Sequence, residues 1–295
     1  MYIIYLDYGG SVANQMQIHF SILSFLAYTT RKPRIIIATD HPEAYKRLEG
    51  LVETLEVTPD TFKMWRGEMD YSFRIKIKVI QYVVQHLMNK QLPPSAVMYM
   101  DGDTVACSNW DLLYDEVTKG VAYMHINEGM PYLTHGPSAR LWRDVKGKQY
   151  AGIKIDETSE MWNAGVIAMP LSKATEVCDL ALRLCDEMLN DGVRSFHVEQ
   201  FSFTLAMRHI CHEIHSAESY ICHYWGNKKG WNKVQADFFT RSLIEMHTPQ
   251  EDMLLIKEMD KSVVPYYVKV PIWRQRFLKW IDCIAPQKQT SLDKK

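Results

Sequence analysis

Ala96-Val97-Met98-Tyr99-Met100-Asp101-Gly102-Asp103 is the stretch from which the fold is read. Five apolar residues in a row are too few for a helix. Bounded by turn residues, such a run is a strand buried on both faces, as in a parallel sheet. It runs directly into two carboxylates separated by one glycine. Upstream, Tyr2–Leu6 and Arg34–Thr39 read as further buried strands, with a weaker one near Leu55–Val57. Ile18, Ile22, Phe25 and Leu26 recur at helical spacing between the first two, and Phe73–Leu87 carries the same period through Ile75, Val79, Tyr82 and Val83. Downstream, Val121–Ile126 and Gly165–Met169 are strands flanking a polar stretch, Asn127–Glu160, expected as loop and short helix. Val177, Leu180, Ala181, Leu184, Cys185 and Met188 form one helical stripe, a second helix starts near Val198, and a glycine-marked turn from His223 to Trp231 precedes a helix to about Met246. The alternation predicts an α/β fold, a Rossmann-like, mostly parallel sheet flanked by helices.

The 295 residues suit one such domain with a modest extension. At 47% hydrophobic and 23% charged the composition excludes disordered, collagen-like and coiled-coil classes, and a net charge of −1 gives no global pull toward nucleic acid. The N-terminus reads as a first strand and not as a leader, and no apolar run approaches the roughly 20 residues that span a bilayer. Six cysteines without a C-x-x-C pair predict free thiols and a cytoplasmic location.

Asp101 and Asp103 stand at the carboxyl end of a strand, where open α/β sheets bind ligands. Carboxylates one residue apart can meet a hard divalent cation together, with Gly102 permitting the tight backbone. D-G-D is also plain turn chemistry. Asp101-Gly102-Asp103-Thr104-Val105 fits, in addition, the signature of haloacid-dehalogenase-type phosphatases, although about three strands precede it here and no later acidic pair follows. Three more features follow in order: Trp162-Asn163-Ala164-Gly165-Val166, His197-Val198-Glu199-Gln200, and the stretch from His223 through Gly226 and Lys229 to Trp231. Cys211, His212, His215, Cys222 and His223 invite a zinc reading, but lack the closely spaced thiolate pairs of such sites.

The series D-x-D, N-A-G-V, acid-Gln and H-x-x-G-x-x-K-x-W resembles that of nucleotide-sugar glycosyltransferases with a GT-A fold, particularly family 8, the relatives of glycogenin and the lipopolysaccharide galactosyltransferases. The resemblance covers roughly residues 1 to 250 and implies a GT-A-like nucleotide-diphospho-sugar transferase domain over 1–262. It implies that Asp101, Asp103 and His223 bind Mn²⁺ or Mg²⁺ with the donor diphosphate, and that Lys229, after the Gly226 turn, meets that diphosphate. Gly230 stands where the family has proline. Tyr8 and Gly9, and more loosely Asp40, would hold the nucleobase, Lys78 would reach the phosphates in competition with Arg74, and Asn163 would contact the sugar. Glu199 and Gln200, in place of the family's Asp-Gln, would lie beneath the anomeric carbon. The implied activity is transfer of a hexose from a UDP-sugar, with retention, to a saccharide or glycolipid acceptor. A non-catalytic sugar-nucleotide-binding protein is the alternative of another class. A nucleotidyltransferase is disfavoured, because the loop Asp7-Tyr8-Gly9-Gly10-Ser11 carries no basic residue. Glu128, Tyr132 and Asp156, in the polar stretch, are candidate acceptor contacts.

Residues 263–295 form a basic and aromatic tail. Trp273, Phe277, Trp280 and Ile284 share one helical face, and between Val263 and Ile284 four basic residues, Lys269, Arg274, Arg276 and Lys279, stand against a single acid, Asp282. That pattern suits peripheral contact with the inner face of an anionic membrane, and equally a helix packed on the domain.

Overall fold

A computed structural model describes residues 1–90 and 95–267. The chain runs β1 (Tyr2–Asp7), α1 (Val12–Ala27), β2 (Arg34–Thr39), β3 (Val52–Glu56), α2 (Pro59–Trp65), α3 (Arg74–Asn89), β4 (Ala96–Met100) and β5 (Thr104–Ala106). It continues through α4 (Asp111–Thr118), β6 (Ala122–Met124), α5 (Pro137–Val145), β7 (Gln149–Tyr150), β8 (Ile153–Lys154) and β9 (Val166–Pro170). It then passes α6 (Leu171–Asn190), α7 (Val198–Cys211), β10 (Ile214–Ser216), β11 (Ile221–His223), α8 (Lys228–Ile244) and α9 (Pro249–Glu258).

Seven strands form the central sheet in the order β10-β6-β9-β4-β1-β2-β3. β1 pairs in parallel with β2 and β4, β2 with β3, and β6 with β10, whereas β9 runs antiparallel to β4 and β6. The mixed α/β, mostly parallel sheet predicted from the sequence is therefore present. Its strands read as unbroken apolar runs because both faces are covered. Tyr2, Ile4, Val97 and Tyr99 join the core under α3, α6 and α7. Ile3, Tyr5, Ala96, Met98 and Met100 join the core under α1, α4 and α8. Successive side chains of one strand thus feed opposite layers.

After β1 the chain builds outward through β2 and β3 and then returns to place β4 on the other side of β1. That reversal leaves a crevice at the carboxyl ends of β1 and β4, the usual ligand position in an open α/β sheet. Because β9 is antiparallel, its leading residues, 163 to 165, arrive at the same edge.

Three expectations change. Lys228, Lys229, Gly230 and Trp231 are the first turn of α8, not turn, since the apolar face of that helix begins at Trp231, buried under Tyr266. The polar stretch holds, beside the short helix expected there (α5), an unforeseen β7–β8 hairpin. Cys107 and Cys222 are not free thiols: they form a disulfide, because β11 pairs antiparallel with β5 and brings their Cα atoms within 6.2 Å. Cys178, Cys185 and Cys211 are free. The first residues assigned to the tail pack on the domain, with Tyr266 stacked on Trp231 and the Pro265 carbonyl accepting from Asn227. Trp273, Phe277 and Trp280, and with them the membrane reading, lie outside the described residues. Among the described residues no helix is long and apolar enough to cross a membrane.

Candidate metal centre and the cavity around it

The crevice at the end of β1 and β4 is a cavity of about 850 Å³. Asp101 and Asp103 enter it from the turn after β4, and His223 enters from the end of β11, whose pairing with β5 sets His223 opposite Thr104. The turn is fixed by backbone bonds at both ends: Asp101 N–H donates to Gly165 O at 2.9 Å, and Tyr224 N–H donates to Asp103 O at 3.0 Å. One oxygen from each carboxylate and one ring nitrogen of His223 lie within 4.8 Å of one another.

The donor set fits a divalent cation. His223 Nδ1 lies 3.0 Å from Asn163 Oδ1, an atom that can only accept, so Nδ1 carries the proton and Nε2 faces Asp103 Oδ1 at 3.2 Å. Two acceptors so placed repel unless a proton or a cation joins them. Gly165 makes this approach feasible, since a Cβ there would meet His223 Nδ1 at 2.3 Å. Burial raises the cost of charge on Asp103, yet the facing His223, when a proton sits on its Nε2, and Lys228 hold that carboxyl well below the ordinary range. Beside His223, at 5.3 Å between ring centroids, His125 is kept neutral, its pKa brought down to about 4 by burial and by His223.

Two lysines flank the acids. Lys76, on α3, contacts Asp101 Oδ1 at 3.1 Å and lies 3.6 Å from Glu199 Oε1. Burial works against its charge, but Asp101 and Glu199 keep its pKa above the ordinary value. Lys228, at the start of α8, reaches Asp103 Oδ2 at 2.8 Å. Lys78 and Lys229, the lysines singled out in the sequence, do not line the cavity. Lys78 donates to Gln81 on the side of α3 facing α6, and Lys229 is exposed. Arg74 is bound to Asp186 through Nε at 2.7 Å and likewise stands apart.

The floor of the cavity is the first turn of α7. Glu199 is buried, and its pKa is raised to about 7 by burial, opposed by Lys76 and reinforced by Asp101. Gln200 Oε1 accepts from Ala164 N–H at 3.4 Å, and its Nε2 donates to Glu128 Oε2 at 2.9 Å. Asn163 donates through Nδ2 to Glu128 Oε1 at 3.0 Å. Glu128 thus reaches the cavity; Tyr132 and Asp156 do not line it.

Tyr8 lines the far end of the cavity and packs its ring on Phe62 at 5.2 Å. Gly9, at φ 81°, donates its N–H to both oxygens of Asp40 at 3.1 Å, and Asp40 also holds His41 Nδ1 at 2.7 Å. Gly9 and Asp40 therefore shape the loop beside Tyr8 from behind. Gly226 is occupied by a packing role, since a Cβ there would meet the Tyr267 ring at 2.2 Å. Among the described residues the three-ligand group is the one such cluster, so the cysteines and histidines between 211 and 223 assemble no zinc set of their own, as the lack of thiolate pairs predicts.

No family model matches the chain, and no curated protein does. Among solved structures, mouse xyloside xylosyltransferase 1 in its apo form aligns at 14% identity and a TM-score of 0.46, over 73% of this chain and 84% of that one. A likeness of that degree carries no weight for activity.

Proposed function

We propose that the chain is a metal-dependent glycosyltransferase of GT-A type, moving a hexose from a UDP-sugar to a hydroxyl of a saccharide or glycolipid acceptor with retention at the anomeric carbon. The observation that carries this reading is the meeting of Asp101, Asp103 and His223 with two lysines at the switch point of the sheet, in a cavity large enough for a nucleotide sugar. A divalent cation held there, Mn²⁺ by the mixed oxygen and nitrogen character of the set, would offset charge on a departing diphosphate.

The remaining work falls to the chain itself. Lys228 stands where it can pair with phosphate oxygens once Asp103 is engaged, and this placement supports it over Lys229 as the diphosphate contact. Lys76 sets one positive charge between Asp101 and Glu199, which offsets the repulsion between the two acids where the floor meets the cradle. Gln200 and Asn163 present amides whose positions are fixed by Glu128, which suits hydrogen bonding to sugar hydroxyls. Tyr8, on a loop stiffened by Gly9 and Asp40, offers a ring face for the base.

The test is incubation of the full-length protein with UDP-glucose, UDP-galactose and UDP-xylose, with and without Mn²⁺, measuring UDP release. Metal-dependent release from a UDP-hexose, absent in Asp101→Asn and Asp103→Asn, is expected. Binding of the nucleotide sugars without any turnover would favour the non-catalytic binding protein.

A further inference from the structure

The cradle and the floor are joined by one carboxylate. Glu128 Oε1 accepts from Asn163 Nδ2 at 3.0 Å while Oε2 accepts from Gln200 Nε2 at 2.9 Å. Asn163 Oδ1 in turn accepts from Gly165 N–H and from His223 Nδ1, each at 3.0 Å. The orientation of the Asn163 amide is dictated at both ends, because a carboxylate can only accept and a backbone N–H can only donate. The consequence passes to His223, whose Nδ1 must donate and whose Nε2 lone pair is left for the cradle.

We propose that Glu128 is a positioning residue for the metal centre, acting through Asn163 on His223, and that the same side chain holds Gln200, tying the metal ligand to the residue placed under the donor sugar. This rests on the metal-dependent reading above. Glu128 acts at one remove from the ligand atoms: its hydrogen-bond partners are the two amides. Its backbone is held independently, since Glu128 N–H donates to Met161 O at 2.7 Å and Asn163 N–H donates to Ile126 O at 2.9 Å. Replacing the side chain therefore leaves the ladder between 126–128 and 161–163 in place. A glutamine at 128 would turn one donor toward a donor, so one amide must let go.

The experiment is calorimetric titration of full-length protein with Mn²⁺, for wild type, Glu128→Gln, Asn163→Ala and the double variant. Loss of an outer partner of a metal-binding histidine costs about 10- to 100-fold in metal affinity. Each single variant is expected to fall in that range, with the double variant no weaker than Asn163→Ala by more than about twofold, because both act on one chain of contacts. Multiplied losses in the double variant would mean that Glu128 acts by its charge alone, and unchanged affinity in Glu128→Gln would also overturn the proposal. Failure of wild type to bind Mn²⁺ would instead remove the metal reading beneath it. A second measurement needs no Glu128 variant: the ¹⁵N ring spectrum of Mg²⁺-loaded wild type, with the His223 signal assigned by its loss in His223→Gln. A protonated Nδ1 and an Nε2 that carries no proton are expected; the opposite tautomer contradicts the proposal.

Discussion

The cradle after β4 and the floor at the start of α7 are both acidic and both buried, yet they settle their charge differently. In the cradle two carboxylates and an imidazole converge on one point; Asp103 meets Lys228, half-exposed at the rim, and Asp101 shares the buried Lys76 with the floor. On the floor Glu199 has a cation inside the fold, Lys76, and still titrates near 7 because burial outweighs it. In the cradle three ligand atoms converge on one point, which suits a charge brought from outside, whereas the single acid of the floor meets its cation inside the fold. The difference separates what a metal would do from what the protein does alone.

The largest effect expected is in the cradle. Asp103→Asn removes a ligand charge from a turn held by backbone bonds, so UDP affinity in Mn²⁺ should fall by more than about 100-fold with little change in melting temperature. Isothermal calorimetry reads the first and a thermal melt the second; retained affinity would mean that the cradle and floor do not differ as described.

On the floor the corresponding change should appear as a pH effect without metal. Glu199 titrates at about 7 when folded, against an ordinary 4.5, so between those values the folded state keeps a proton that the unfolded state has released. Its contribution is therefore full below about pH 4.5 and lost as the pH rises through 7. Glu199→Gln abolishes that dependence, and its stability relative to wild type should rise by about 3 kcal/mol between pH 4 and pH 8. Urea unfolding across that range checks it; a difference independent of pH contradicts it.

Lys76 and Lys78 sharpen the comparison further. Lys76→Met leaves Asp101 and Glu199 without their shared cation and should lower turnover about 30-fold, or ~2 kcal/mol, whereas Lys78→Met should stay within about twofold. Equal losses in steady-state assays would place Lys78 in the site after all. The smallest effect concerns the rim. Lys228→Ala should weaken UDP binding about threefold, under ~1 kcal/mol because the side chain is half in solvent, and Lys229→Ala less still.

The buried strands and the crevice were legible in the sequence because continuous apolar runs and a glycine between carboxylates leave few other readings. The meeting of Asp101, Asp103 and His223 was legible only through the order of four motifs, since nothing local to His223 points across 120 residues of chain. The lysines were misplaced by helix phase. Positions two apart on a helix point about 200° apart, so choosing 78 over 76 selects the opposite face, and taking Lys228 and Lys229 as loop hid the phase of α8. Glu128 was visible as a polar residue in a long loop, but its partners come from the segment leading into β9 and from α7, which no spacing rule connects. The disulfide between Cys107 and Cys222 spans 115 residues and depends on a two-stranded pairing too short to read from either segment.

On the proposed reading this cavity binds a nucleoside diphosphate through a divalent cation held by Asp101, Asp103 and His223. Titration of UDP into the full-length protein in Mn²⁺, and again in chelator, measures that dependence. Binding in Mn²⁺ that disappears in chelator and in His223→Ala with Asp103→Asn is the predicted result; equal UDP binding with and without the metal would contradict it.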